Sequence, residues 1–302
     1  MKDIRTWLSP PDPWKNHNIA CKSRHGGSAA WFLEDNKYLE WKTSEGRGSL
    51  LWVHGKRPLT LFMPLPETEN YRFRSGCRKE RTLVRQTFHT PIWRTHRVRI
   101  GSSSIIGDID AMRKAGLASL AFFYCDFRED QKKDLRGLLS SLLVQLCHQS
   151  NSYADILSKL YSEHDDGSRH PGDDVLAECL KDLLKLPGHA PVYLIVDALD
   201  ECPNTSSIPS PRDDVLNLIE DLIKSENPNV RVCVTSRPET DIKDVLKSLV
   251  LCTVSLDDES GQMRDIEEYI KTVIHTNPKN KRWKAADKQL VIDGLTRKAN
   301  GM

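Results

Sequence analysis

Two rhythms alternate along the chain: short unbroken apolar runs, and longer stretches whose apolar residues recur every three or four positions. Leu50-Leu51-Trp52-Val53-His54 is an apolar run that stops at Gly55, and Leu120–Tyr124 is a second, rich in aromatics. Val192–Val196 is continuous and ends in acid at Asp197, while Val230–Thr235 and Leu249–Leu256 complete the set. Runs of this length and composition predict strands, and the continuous ones predict strands buried on both faces. Between them, Ile105, Ile106, Ile109 and Met112 fall at helical spacing ahead of Ala115-Gly116. Leu135, Leu138, Leu139, Leu142, Leu143 and Leu146 make one apolar helix face. Leu176, Cys179, Leu180 and Leu183 make another, opened by Asp173-Asp174 and closed by Pro187-Gly188. Val215–Ile223, Ile266–Ile274 and Leu290–Leu295 carry three further helical patterns. Strands alternating with helices of ten or more residues predict an α/β fold of three layers, with a mainly parallel sheet flanked by helices.

The periodic text divides the chain. Residues 1–48 read as a linker and a short helical lead-in, with a turn or polyproline stretch at Ser9-Pro10-Pro11-Asp12-Pro13 and a close at Gly46-Arg47-Gly48. Residues 49–256 hold the alternating core, and 257–302 read as the start of a C-terminal helical extension that is cut short. Within the core, 57–101 keeps neither rhythm, and Pro58, Pro64, Pro66 and Pro91 argue against regular structure there. It reads as a disordered or irregular basic insert.

Charge sharpens that boundary. The whole chain of 302 residues carries a formal +2, yet Arg57–Ile100 alone holds nine Arg and one Lys against three acids, a local +7. The remainder is therefore net acidic, at −5. The eight cysteines are scattered without a C-x-x-C pair, several inside apolar runs, as expected of reduced thiols in a cytoplasmic protein. No stretch of 18 apolar residues and no leader pattern at Met1–Arg5 predict a soluble chain with no membrane partner.

In parallel sheets ligands bind beyond the carboxyl ends of the strands, and three strand ends here carry polar chemistry. Asp197-Ala198-Leu199-Asp200-Glu201-Cys202 follows the most apolar run. A carboxylate fixed at such a tip can hold Mg²⁺ directly or through water, which makes Asp197 the metal-side acid. Asp200 or Glu201 can then orient or deprotonate an attacking water. Thr235-Ser236-Arg237-Pro238 ends the next run, and the Arg237 guanidinium offers planar donors suited to a terminal phosphate. Asp126-Phe127-Arg128 ends the second run and reads either as a further polar site or as a loop with a local ion pair.

Together these residues carry a resemblance. YLIVDALDEC, VTSRPE and FFYCDFRED with its leucine-striped helix resemble NACHT-type P-loop NTPases, and among them the nephrocystin-3-like N-terminal domain of fungal STAND proteins. NHNIACKSRHGGSAAWFLED, SLLWVHGK and DIEEYIKTVI are similar to flanking text of that family. The resemblance implies a P-loop NTPase-like fold that binds ATP or GTP with Mg²⁺, hydrolyses it and associates with itself or with related NACHT proteins as a signalling switch. It implies that Asp197 is the Walker B metal acid, that Asp200 and Glu201 are the catalytic acids and that Arg237 is the sensor arginine.

One motif breaks the pattern. A phosphate loop needs G-x-x-x-x-G-K-[ST], whose glycines let backbone N–H groups wrap the phosphates while Lys and Ser/Thr meet phosphate and metal. Gly55 and Lys56 are what stands at the nucleotide-binding position, but Arg57-Pro58-Leu59-Thr60 follows and no G-K-S or G-K-T occurs anywhere. Familiar text resumes at Ser102-Ser103-Ser104. The arginine-rich block reads as translated intron or a shifted frame rather than an evolved insertion. A nucleotide switch module impaired in nucleotide binding, and inactive as a hydrolase, is the expectation. The alternatives are a nucleotide-independent scaffold that pairs with intact relatives and, with the least support, nucleic-acid binding through the Arg-rich block with Tyr71, Phe73 and Trp93.

Overall fold

A computed structural model describes residues 1–23, 29–44, 49–55, 96–256, 260–276 and 280–300. Five strands, β1 (Ser49–His54), β2 (Ser119–Tyr124), β3 (Val192–Asp197), β4 (Val230–Ser236) and β5 (Cys252–Ser255), form one sheet in the order β2-β3-β4-β1-β5. All four pairings are parallel. Alternate residues divide cleanly between the two faces, as the pleat requires. Leu50, Trp52, Phe123, Leu194, Val196, Val232 and Val234 enter one apolar cluster. Leu51, Val53, Phe122, Ile195 and Cys233 enter the other.

Helices cover both faces. They are α1 (Lys2–Leu8), α2 (Pro13–Ser23), α3 (Ala30–Leu33), α4 (Asn36–Thr43), α5 (His96–Lys114), α6 (Leu135–Cys147), α7 (Asn151–Glu163), α8 (Asp173–Leu184), α9 (Pro211–Lys224), α10 (Thr240–Leu249), α11 (Ser260–Thr276) and α12 (Ala285–Asn300). Phe32, Tyr38 and Trp41 pack with Ile105, Ile106 and Ile109 of α5 on one face. The leucine stripes of α6 and α8, the apolar face of α9, and Ile242 and Leu246 of α10 cover the other. The expected three-layer α/β architecture is what forms. A separate small cluster, Ile270, Ile274 and Ile292, joins α11 to α12.

Chain direction explains where a site can sit. The step from β1 to β2 crosses the sheet one way through α5, and the steps β2 to β3 to β4 to β5 return the other way. Right-handed crossovers then force α5 onto one face and α6–α10 onto the other. The chains leaving β1 and β4 diverge to opposite faces, which opens a crevice at the carboxyl ends of those neighbouring strands.

The first 44 residues are more than a linker. Ile4, Trp7 and Leu8 of α1 are buried in the main core, and the Trp7 indole N–H donates to the Arg169 carbonyl at 2.8 Å. The proline stretch is a sharp joint: Ser9 adopts a left-handed conformation after α1, and Pro13 opens α2, where its missing N–H costs nothing. Helix α7 and helix α10 are absent from the sequence reading, and the last strand is shorter than the run Leu249–Leu256, because α10 claims Leu249. The edge of β2 is closed by side chains. Gln145 near the end of α6 and Gln149 in the turn just after it donate to the Phe122 and Leu120 carbonyls and accept from the same residues' N–H groups at 2.6–3.1 Å.

Candidate functional site at the strand tips

The site is built on β3. Its six residues are all buried, which brings the Asp197 carboxylate to the strand tip with no solvent exposure. A buried carboxylate is costly unless it is hydrogen-bonded. Thr235, near the end of neighbouring β4, supplies that bond: its hydroxyl donates to Asp197 Oδ1 at 2.6 Å and accepts from the Ala198 N–H at 2.9 Å. Ala198 itself is left-handed at φ 56°, a conformation that costs a non-glycine residue about 1–2 kcal/mol. That turn rolls the chain straight from the strand into a short 3₁₀ segment, Leu199–Glu201, and so places two more acids at the tip.

Those acids do not hang free in solvent. Asp200 is 7% exposed at its side chain; Oδ1 accepts the Arg237 backbone N–H at 3.0 Å and Oδ2 lies 3.2 Å from Arg237 Nε. Arg237 is about one-third exposed and follows β4 directly. Asp197, Asp200 and Arg237, singled out from sequence, therefore meet at the ends of two adjacent strands. Glu201 is half-buried in the same turn. Its charge reaches the tip of β2, where it helps to raise the Arg128 guanidinium and the Cys125 thiol. Cys125 and Cys202, both buried, approach to 3.4 Å between sulfurs; their contact, burial and the nearby acids hold the Cys125 thiol well above its ordinary value.

The third strand end resolves to the local ion pair. Arg128 makes a fork onto Asp126, Nε to Oδ1 at 2.8 Å and Nη2 to Oδ2 at 2.7 Å, and Asn16 donates to the same carboxylate at 3.2 Å. At β1, His54 stands in register with Ser236, and the Trp52 indole donates to the Ser236 hydroxyl at 2.9 Å. Gly55 is buried just beyond; Lys56 and the basic block up to residue 95 lie outside the described residues. Thr235 is the residue to which sequence reasoning gave no role, although a Thr two positions before Arg237 was its available signal.

Among the described residues, no group of three or more His, Cys, Asp or Glu is arranged to hold a metal ion. A cleft of about 270 Å³ lies elsewhere, between the Pro10–Trp14 segment, Phe122 and the outer face of α6.

Comparison with known proteins falls on the same stretch. Residues 100–237 match the family model of Nephrocystin 3, N-terminal. That span starts inside α5, holds β2, β3 and β4 and ends at Arg237, so the strand-tip residues Asp197, Asp200, Glu201, Thr235 and Arg237 all fall within it. The chain is similar to Vegetative incompatibility protein HET-E-1 of Podospora anserina, 29% identical over 150 residues, 48% of this chain and 10% of that protein. It thus spans about a tenth of that relative's length. Two solved structures of the Aeropyrum pernix ORC2 protein align more loosely. The ADPNP–ADP form gives a TM-score of 0.42 at 14% identity over 90% of this chain and 58% of that one. The ADP form gives 0.38 at 10% identity over 98% and 65%.

Proposed function

We propose, taking residues 100–237 as a NACHT-like segment of the nephrocystin 3 N-terminal kind, that the chain is a nucleotide-switch module with an intact acidic rim and an interrupted phosphate grip. The observation that carries this reading is the contrast between two neighbouring strand tips. Beyond β3 and β4, Asp197, Asp200 and Arg237 are buried or half-buried and held by directed hydrogen bonds. Beyond β1, Gly55 leads into Lys56-Arg57-Pro58, and no G-K-S or G-K-T sequence exists to wrap a phosphate. The family match also begins only at residue 100, where the basic block ends.

In this reading Asp197 would hold Mg²⁺ directly or through water, and the cation would neutralise charge between phosphates. Asp200 and Glu201 orient the attacking water, and Arg237 leaves Asp200 to meet a terminal phosphate of ATP or GTP. Gly55 and Lys56 are the remnant of the phosphate-side contact. Losing the backbone cradle, the loop lysine and one metal ligand removes contacts worth about 1.5–3 kcal/mol each. Together that is ~4.5–9 kcal/mol, or about three to six orders of magnitude in affinity. Residues 49–256 form the switch core and 257–302 a helical segment beside it; association with a second copy or with intact relatives follows from the same kinship.

Calorimetric titration of the chain with Mg-ATP and Mg-GTP tests this. The expected result is no saturable heat at micromolar nucleotide, with turnover at background; a micromolar Kd overturns it. A scaffold that never uses nucleotide is the second reading. It is favoured by the way the rim charges already satisfy one another, Asp197 through Thr235 and Asp200 through Arg237. Stable association with a second copy, unaltered by nucleotide, is its signature.

A further inference from the structure

Arg212 is a buried cation with no assigned task. It stands in the first turn of α9, 5% exposed, on a helix start fixed by Pro211 and by a reciprocal pair of bonds between Ser210 and Asp213. Its guanidinium uses four donor positions on two different loops. Nε donates to the Cys202 carbonyl at 2.9 Å and Nη2 to the Asp200 carbonyl at 2.8 Å, both in the loop after β3. Nη1 reaches Glu239 Oε2 at 2.6 Å and Asp241 Oδ2 at 2.9 Å, both just after β4 and Arg237. Burial alone would discourage the charge, but Glu239 and Asp241 outweigh it and the guanidinium sits above its ordinary value. Asn204 also donates to Asp241 at 3.0 Å, and the Arg212 N–H donates to the Pro203 carbonyl at 3.2 Å.

A planar fork is what this geometry requires. Two carbonyls and two carboxylates on separate loops are met by one rigid group, which a flexible ammonium cannot span. On the other side of the same loops, Asp200 holds the N–H and guanidinium of Arg237. Asp200 is thereby gripped at both ends, its carbonyl by Arg212 and its carboxylate by Arg237.

We infer that Arg212 is a positioning residue that locks the loop bearing Asp200 and Glu201 to the loop bearing Arg237, so that the two strand-tip loops shift as one body. It does not touch nucleotide. What the loops do with a phosphate rests on the reading above, whereas the lock is a property of the ligand-free chain.

Hydrogen exchange of the full chain without nucleotide tests the lock, so a failure to bind nucleotide leaves the outcome legible. The reporting amides are Glu201, Cys202 and Arg237, each hydrogen-bonded within the two loops. In Arg212→Met their exchange rises at least about tenfold while the β2 and β3 amides keep their rates, since local opening is separable from global unfolding. A uniform rise across the core, or no rise in the loops, overturns the inference. Arg212→Lys keeps a cation near Glu239 and Asp241 but surrenders the two carbonyls; it should free Glu201 and Cys202, and with them the Arg237 amide, whose acceptor is Asp200 Oδ1 in the same loop. Wild-type exchange at Glu201 and Cys202 in that variant would contradict the fork. Should Arg212→Met fail to fold, Glu239→Gln gives the complementary reading, with Arg237 exchange raised and the β3 loop protected. No change at Arg237 in Glu239→Gln counts against the lock.

Discussion

Thr235 shows how much of the rim rests on single hydroxyl and amide groups. Its oxygen is the donor to a fully buried carboxylate and the acceptor for the N–H of a left-handed alanine, so one side chain stabilises both the charge and the turn. Replacing it by the near-isosteric Val removes both bonds and leaves Asp197 Oδ1 without that donor. Hydrogen bonds to charged groups are worth about 1.5–3 kcal/mol, and chemical denaturation of Thr235→Val should register a loss of that size. A loss under about 0.5 kcal/mol would mean that the Asp197 carboxylate is supported elsewhere. At this scale the acids were legible because a charge that ends a five-residue apolar run has few other reasons to be there. Thr235 and Arg212 were not, since Thr is ordinary in strands and a single Arg at a helix start is ordinarily a surface residue. Their meaning lies in contacts such as Thr235 with Ala198 and Arg212 with Glu239, 37 and 27 residues apart in sequence.

Among the elements, strands were the easiest to read and polar-faced helices the hardest. The apolar runs placed β1 to β4 to within a residue or so, because burial on both faces leaves no polar position to blur the run. Helices α1, α2, α4, α7 and α10 are short or carry charged outer faces, and α1 and α4 contribute only a few core residues each. Gln145 and Gln149, off the leucine stripe at and just beyond the end of α6, have a task no periodicity reveals, the closing of a strand edge. The same helix contains a steric demand. A Cβ on Gly137 would lie 1.8 Å from the Gln131 carbonyl oxygen and 2.9 Å from its carbon, backbone atoms that cannot swing aside. Gly137→Ala gains about 1 kcal/mol in helix propensity but incurs an overpacking cost of about 1–3 kcal/mol. The balance is a lower Tm, by up to about 8 °C; an increase in Tm would show that the loop before α6 yields easily.

The whole molecule carries a further signature in its thiols. Among the described residues seven cysteines are free, and only Cys21 is exposed. Burial, aided for Cys147 by Cys179 and for Cys179 by Asp182, pushes both thiols up to about 12. A pKa raised in the folded state means that folding favours the protonated thiol. The associated stability is complete below the unfolded value near 9 and is lost as pH climbs toward 12. Denaturation midpoints should be flat from pH 7 to 9 and fall above that, and Cys147→Ala with Cys179→Ala should flatten the fall. An equally steep decline in that double variant would assign the alkaline loss to other groups. At this scale the sheet order could not be read from the chain: nothing local announces that β1 lies between β4 and β5, and that placement is what sets the rim beside the end of β1.

In the proposed switch the acidic rim and the phosphate grip are separable. Replacing residues 57–100 with a short glycine-rich loop ending in Gly-Lys-Ser, ahead of Gly101, and titrating both chains with Mg-ATP by calorimetry tests it most directly. The expected Kd lies in the micromolar range, about −8 kcal/mol, for the grafted chain, with no saturable heat for the native one. Equal affinity in the two chains, or a folded graft that still binds nothing, would contradict it.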